Sequence, residues 1–282
     1  MLLKDFIPSP SIAAFVQLFR IVHFVFDKDA QLPYKAYPPR PEHCLAFYPF
    51  DTERVEYVGS NKTIESLPVV LYGQQLGVTN RFVGRNFLVF QIIFQPGALY
   101  RLTGIPAQEF NDHYLDAESV FSTSLRFINE QLYHAPDYNT MIGIAEKFIQ
   151  HLAKKIKKEE HAIDKVSKLL LLNNGNLSID ELAKQSFLST KQFERKFKER
   201  TGVNPKLLAR IARFDKAFRL KNLHPYYDWL RIAVECNYYD YQHLVRDYRD
   251  FTQLTPTAFH EIENKAPERQ FGLAETFYDG KA

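Results

Sequence analysis

The sequence predicts an α+β protein. It has a β-rich N-terminal domain, a cupin-like barrel or sandwich with following helices, and an all-α C-terminal domain with two helix-turn-helix units. Three observations carry this. Short aromatic and β-branched runs recur between Val16 and Gln95, helical spacing replaces them after Gly97, and one helical pattern is written twice in the last third.

The runs QLFRIVHFVF, HCLAFYPF, RVEYVG, LPVVLYG and FLVFQIIFQ read as strands, punctuated by Pro, Gly and Asn. Their regular spacing argues for a sandwich or barrel rather than parallel βαβ units. Helical spacing follows at Leu125, Ile128 and Leu132, then at Met141, Ile144, Ala145, Phe148 and Leu152. The lysine-rich AKKIKKEEHA, residues 153 to 162, reads as a solvated helix end or linker. Domain boundaries are therefore expected at 1–158, 159–265 and a C-terminal tail of 266–282.

A length of 282 residues suits two domains, and 45% hydrophobic with 24% charged residues is the balance of a globular chain with a real core. No run of 18 apolar residues occurs, and the start MLLKDFIPSP has no signal-peptide block, so a cytoplasmic protein with no membrane partner is expected. Cys44 and Cys236 stand alone and are expected as buried free thiols. A metal-dependent cupin-like enzyme is disfavoured. His23, His43, His113, His134 and His151 form no His-x-His or helical His-x-x-x-His pair, and neighbours such as Glu42 and His43 point to opposite faces of a strand. No catalytic residue, metal ligand or cofactor is predicted.

The net charge of +3 is small, but it is unevenly placed: residues 1 to 160 hold 16 basic and 17 acidic residues, and 161 to 265 hold 18 and 13. Lys184 to Lys221 alone carries 12 basic and 3 acidic residues, a field that attracts phosphates.

That basic stretch lies on the repeated pattern. In SIDELAKQSFLSTKQFERKFKERTGVNP, from Ser178 to Pro205, Ile179, Leu182 and Ala183 form one apolar face, and small Ala183 permits a close helix crossing. Ser189 and Gln192 make a capping box that starts a second helix, Gly202 ends it, and Pro205 opens the next. The second copy, LRIAVECNYYDYQHLVRDYRDFTQLTP from Leu230 to Pro256, has Ala233 for Ala183, Leu244 and Tyr248 for Phe193 and Phe197, and Arg246 for Arg195, with one residue inserted in its turn. Between them, KLLARIARFDKAFRLKN reads as an amphipathic helix whose Arg210, Arg213, Lys216 and Arg219 would add to the basic field.

Two such units joined by a helix beginning Arg-Ile-x-x-x-x-x-Ala resemble the DNA-binding domain of the AraC/XylS family over roughly residues 163 to 262. The resemblance implies a transcription regulator of double-stranded DNA whose second helices enter successive major grooves. Thr190, Lys191, Glu194 and Arg195 would read one groove, and Tyr241, Gln242, Val245 and Arg246 the next. The second unit departs from the pattern with Asn237 and Gln253 where glycines are usual and Val245 in place of a polar reader. Asn222 to Lys265 holds 4 basic and 7 acidic residues, so Asp247 and Asp250 are expected to neutralise part of Arg246. The resemblance further implies an N-terminal domain that binds a small-molecule effector or holds a homodimer partner, and contact with RNA polymerase if the protein is an activator. Phe94 to Asp112, FQPGALYRLTGIPAQEFND, resembles a segment of effector domains in one branch of the family. Phe24, Phe26, Phe47, Tyr48, Tyr72 and Phe90 are candidate pocket aromatics. A ligand-free, constitutive DNA-binding dimer remains the alternative.

Overall fold

A computed structural model describes residues 1–121 and 124–279, apart from the Glu275 side chain. Its strands are Leu2–Phe6 (β1), Val16–Val25 (β2), Tyr34–Tyr37 (β3), Cys44–Phe47 (β4), Glu53–Tyr57 (β5), Thr63–Ile64 (β6), Val69–Tyr72 (β7), Thr79–Val83 (β8), Asn86–Phe94 (β9) and Tyr114–Asp116 (β10). Two antiparallel sheets result, one ordered β1-β2-β9-β4-β7-β10 and the other β3-β8-β5-β6.

β9 shows why the strongest apolar run has no polar alternation. Phe87, Val89 and Ile93 face the second sheet with Phe24, Tyr48 and Val55, whereas Leu88, Phe90 and Ile92 face helices on the other side. A strand covered on both faces reads as continuous hydrophobic sequence. The covering helices are Ala98–Thr103 (α1), Leu125–Tyr133 (α2) and Tyr138–Ala153 (α3). Of the candidate pocket aromatics, Phe47 and Phe90 therefore pack under helices, and Phe24, Phe26, Tyr48 and Tyr72 lie between the sheets. Both cysteines are buried free thiols.

The C-terminal helices are Ala162–Leu172 (α4), Ile179–Gln185 (α5), Thr190–Thr201 (α6), Pro205–Leu223 (α7), Trp229–Glu235 (α8), Tyr241–Thr252 (α9), Pro256–Glu263 (α10), Pro267–Gln270 (α11) and Ala274–Tyr278 (α12). α5 with α6 and α8 with α9 are the two repeated units. The linker from residue 154 to 161 is not helical and is tied down where the Lys157 and Lys158 amides donate to the Arg101 carbonyl. Over residues 266 to 279 the expected tail is built into the core: Phe277 and Tyr278 pack with Phe218, and Phe271 lies against Phe24 and Phe26. Residues 280–282 of that tail lie outside the described residues.

Polar contacts seat the C-terminal end of α6 on the N-terminal part. The Tyr100 hydroxyl donates to Glu199 at 2.7 Å, the Asn111 amide to the Gly202 carbonyl at 2.8 Å, and His43 Nε2 to the Thr201 carbonyl at 3.1 Å. Tyr100 and Asn111 both come from the Phe94 to Asp112 segment, so part of that stretch serves as the platform for α6. Gly202 leaves α6 at φ 87°, a left-handed conformation that glycine adopts without strain. Space is short there as well, since a side chain at 202 would press on Asn111.

The turns of the two units share one backbone device. Phe187 (φ 53°) and Asn237 (φ 59°) both adopt the left-handed region one residue after the first helix ends and caps, and Gln253 (φ 63°) does so at the place of Gly202. Asn tolerates this conformation, whereas a bulky residue is strained by about 1 to 2 kcal/mol. Phe187 gains nothing in burial to offset that, being 95% exposed.

Two expected outcomes follow from these contacts. Phe187→Asn, which copies the second unit, should raise stability by about 1 kcal/mol, read as a shifted denaturation midpoint. His43 is held neutral by burial, which lowers its pKa from 6.5 to about 4. A base with a depressed folded pKa stabilises the fold fully above its unfolded value, and that contribution fades as pH falls from 6.5 toward 4. His43→Gln should therefore lose about 2 kcal/mol less stability than the native chain between pH 7.5 and pH 5. Half-buried His260, also lowered to about 4, titrates equally in both proteins and cancels in the comparison.

Candidate nucleic-acid interface

The second helix of each unit is fixed by its caps. The Ser189 side chain accepts from the Gln192 amide while Gln192 reaches back to the Ser189 amide, completing the capping box, and Asp240 accepts from the His243 amide at the start of α9. One α6 face is then committed inward by Phe193, Phe197 and Arg200, and one α9 face by Leu244, Tyr248 and Phe251. Ala183 and Ala233 are both buried at the crossings with the preceding helices.

On α6 the residues Thr190, Lys191, Glu194 and Arg195 are all exposed together. On α9 Gln242 and Arg246 are exposed and Tyr241 is half-buried. Val245 is corrected: it is 9% exposed and turned toward the interior, so it has no edge to offer a base. The physical reason is the apolar side chain itself, which at the position of Glu194 rotates into the core rather than into water.

Arg246 also differs from the expectation. Asp247 and Asp250 do not neutralise it, because Arg210 of α7 takes both, at 2.7 Å and 2.5 Å. Asp247 also accepts from the Tyr238 hydroxyl and lies 4.0 Å from Arg213. The acidic residues of the second unit are thus the bolts between α7 and α9. The expected basic face of α7 is largely spent inside the molecule as well: Lys216 donates to the Glu235 carbonyl and Arg219 pairs with Asp215. By contrast, among the described residues Lys184, Lys191, Arg195, Lys198, Lys206, Arg246 and Arg249 are exposed with no ion pair within 4.0 Å. Sequence reasoning passed over the turn aromatics Phe187 and Tyr239, the latter 91% exposed and edge-on to His243. A large aromatic at a turn position, where glycine or asparagine costs least, was the available signal.

A separate cavity of about 80 Å³ lies between the two sheets. Phe24 is the one candidate aromatic among its lining residues, and the others there include Arg20, Lys35, Arg40, Arg81, Gln91, Val22 and Val89, with Glu268 and Phe277 from the C-terminal segment. These cations are scattered along the sequence and meet only through strand pairing. Arg20 in the middle of the apolar run of β2 was the legible sign of a polar interior.

Among the described residues no cluster of three or more His, Cys, Asp or Glu is arranged to hold a metal ion, and no helix is long and apolar enough to cross a membrane.

Residues 182–262 match the family described as a helix-turn-helix domain, and residues 4–116 match a domain of unknown function, DUF6597. Compared with curated protein sequences, the chain matches none. Among solved structures, it is similar to unsaturated fatty acid bound ToxT from Vibrio cholerae at 11% identity and a TM-score of 0.49, covering 86% of this chain and 94% of that one. An apo ToxT variant from the same organism gives 13% and 0.48, over 88% and 98% of the two chains. The AraC-like transcriptional activator CuxR gives 12% and 0.29, over 74% and 77%. The matched helix-turn-helix domain holds two capped units joined by one helix.

Proposed function

We propose that the chain is a sequence-specific DNA-binding transcription regulator, in which residues 159–265 grip duplex DNA and residues 1–158 receive a small-molecule effector and a second copy of the chain. The observation that carries the DNA reading is the pair of capped second helices that present unpaired arginines at matching positions, Arg195 and Arg246. Thr190, Lys191, Glu194 and Arg195 read one major groove. Tyr241, Gln242 and Arg246 read the next, with Val245 behind them as packing. An arginine fork matches guanine O6 and N7, and glutamine matches adenine. Lys184, Lys198, Lys206 and Arg249 supply phosphate contacts.

Gating by an effector is supported by the seating of α6 on residues of the N-terminal part, because a ligand that moves Tyr100 or Asn111 also moves a reader helix. RNA polymerase is the further partner if the regulator activates. The self-association surface falls on α2 and α3, where Phe127 is 57% exposed beside a shallow apolar recess that includes Ala135, Pro136 and Ile144.

Arg195→Ala and Arg246→Ala should each weaken specific binding by about 1 to 3 kcal/mol and relax base preference at one position. The losses should be similar, since neither arginine has an internal partner. Affinities of both variants for one operator at one salt concentration decide this, and a negligible loss for Arg246→Ala would confine base reading to the first unit. Native binding should also fall steeply between 50 and 200 mM salt. Phe127→Glu should shift sedimentation from dimer to monomer while the melting temperature stays within about 2 °C, as for a surface change.

A further inference from the structure

The two repeated units differ on the outer faces of their first helices. Ala183 of α5 matches Ala233 of α8, so Asp180, Glu181, Lys184 and Gln185 match Leu230, Arg231, Val234 and Glu235. All eight side chains are exposed. The two faces hold the same place in the repeat, yet only α5 meets water with polar residues alone. On α8, Leu230 and Val234 stand one turn apart at 62% and 65% exposure, an apolar ridge that the described residues leave largely uncovered. Tyr226, fully exposed, precedes the helix, and Tyr239, exposed as well, follows it.

Beside this ridge runs a second one made of charge. Arg231 donates to Glu235 at 2.8 Å, and both side chains remain open to solvent. An exposed pair of this kind adds little to stability, so either group can change partner at small cost. The neighbouring charges are engaged on the backbone: Lys216 donates to the Glu235 carbonyl, and Asp228 accepts from the Arg231 amide. An arginine and a glutamate one turn apart are complementary to their own copy turned around. A second α8 laid antiparallel across the first sets Arg231 against the partner's Glu235 and Glu235 against the partner's Arg231, while the two Leu230–Val234 ridges pack together. The same turn brings Tyr226 to the end of the helix where the partner's Tyr239 stands.

We infer that the outer face of α8 is a two-fold contact between two copies of this chain, formed when they occupy adjacent sites on one duplex. The face is too small to hold a dimer by itself. A helix of seven residues is about 10 Å long, whereas a stable interface buries about 800 Å² on each partner. Between adjacent sites on DNA the effective concentration is about 1 mM, so a contact with a Kd of about 0.1 mM yields about tenfold cooperativity. A two-fold axis through α8 places the second unit of each copy innermost, on inverted half-sites. That operator arrangement rests on the regulator reading above, whereas the contact itself can be measured without DNA.

The test uses the full-length chain carrying Phe127→Glu, so that the α2 and α3 surface does not contribute. Sedimentation is followed up to about 0.3 mM, and DNA binding is measured on duplexes with one half-site, two inverted half-sites or two direct half-sites, the half-site being selected from random sequence. This chain should self-associate with a Kd of about 0.1 mM and fill inverted half-sites with about tenfold cooperativity. Leu230→Asp combined with Val234→Lys, the residues that α5 carries at those places, should abolish both effects while single-site affinity stays within about twofold. Arg231→Glu puts two carboxylates on the charged ridge and Glu235→Arg puts two guanidiniums there. Each of these chains alone should fail to associate, and their equimolar mixture should associate. A mixture no better than either chain alone, undiminished association of the Leu230→Asp, Val234→Lys chain, or no association of the parent chain overturns the inference and leaves the face to a different partner. Cooperativity on direct instead of inverted half-sites overturns it too. A chain that associates in this charge-dependent way but binds no DNA supports the contact and sinks the regulator reading, and a chain that fills single half-sites but never associates does the reverse.

Discussion

The pair formed by Arg200 and Asp164 ties α6 to the rest of the molecule. Both side chains are buried, the guanidinium donates twice at 2.6 Å, and a further donor goes to the Glu159 carbonyl. A buried ion pair repays the cost of leaving water only where its geometry is good and its remaining donors are satisfied, as here, so this arrangement leaves little freedom to the elements that carry it. Asp164 also accepts from the His161 amide, which closes the capping box of α4. Its Oδ1 stands where any side chain at position 97 would be, so the loop before α1 needs Gly97, found at φ 80°. One carboxylate therefore registers α4, α6 and the entry to α1. Because α6 is gripped at its last turn, its first turns are free to face outward.

The distribution of charge follows the same logic of anchoring first and reading second. On α7 the basic residues Arg210, Lys216 and Arg219 are consumed by Asp247, Asp250, the Glu235 carbonyl and Asp215. At matching positions of the two units the first has Lys196 and the second has buried Asp247, which explains an acidic second unit without any penalty at its outer face. A charge count along the chain cannot distinguish a carboxylate facing DNA from one that bolts two helices together.

The β-rich part and the C-terminal helices also share apolar material. Ala36 of β3 and Val78 just before β8 pack in the same cluster as Ile232, Leu244 and Phe259, and Gln253 of the second unit donates to the Val58 carbonyl. Lys35 adds a buried ionic link from β3 to Glu263 and Glu268, where burial raises the Glu263 carboxyl to about 7 and the nearby ammonium holds Glu268 below its usual range. Both helix-turn-helix units are thus attached to the β-sheets, the first through the end of α6 and the second through α10 and the closing segment.

Local chemistry made the order of elements legible. Alternating and continuous apolar runs marked β2, β4, β5, β7 and β9, a Ser-x-x-Gln box and a proline marked the bounds of α6 and α7, and small alanines marked two close crossings. The short strands β1, β3, β6 and β10 left no comparable trace, because an edge strand of few residues is stabilised by its neighbour and not by its own pattern, and β8, though paired on both sides, is only five residues with no continuous apolar run. The exposed face of α6 could be read from helical periodicity alone. Val245, Arg246 and the charge of the second unit could not. Which partner a given arginine or aspartate takes depends on residues some forty positions away, as with Arg210 and Asp247, and only the folded packing of α7 against α9 brings them together. The same holds for the cavity: Lys35 and Arg81 become neighbours through strand register, a property of paired strands and not of either strand's sequence.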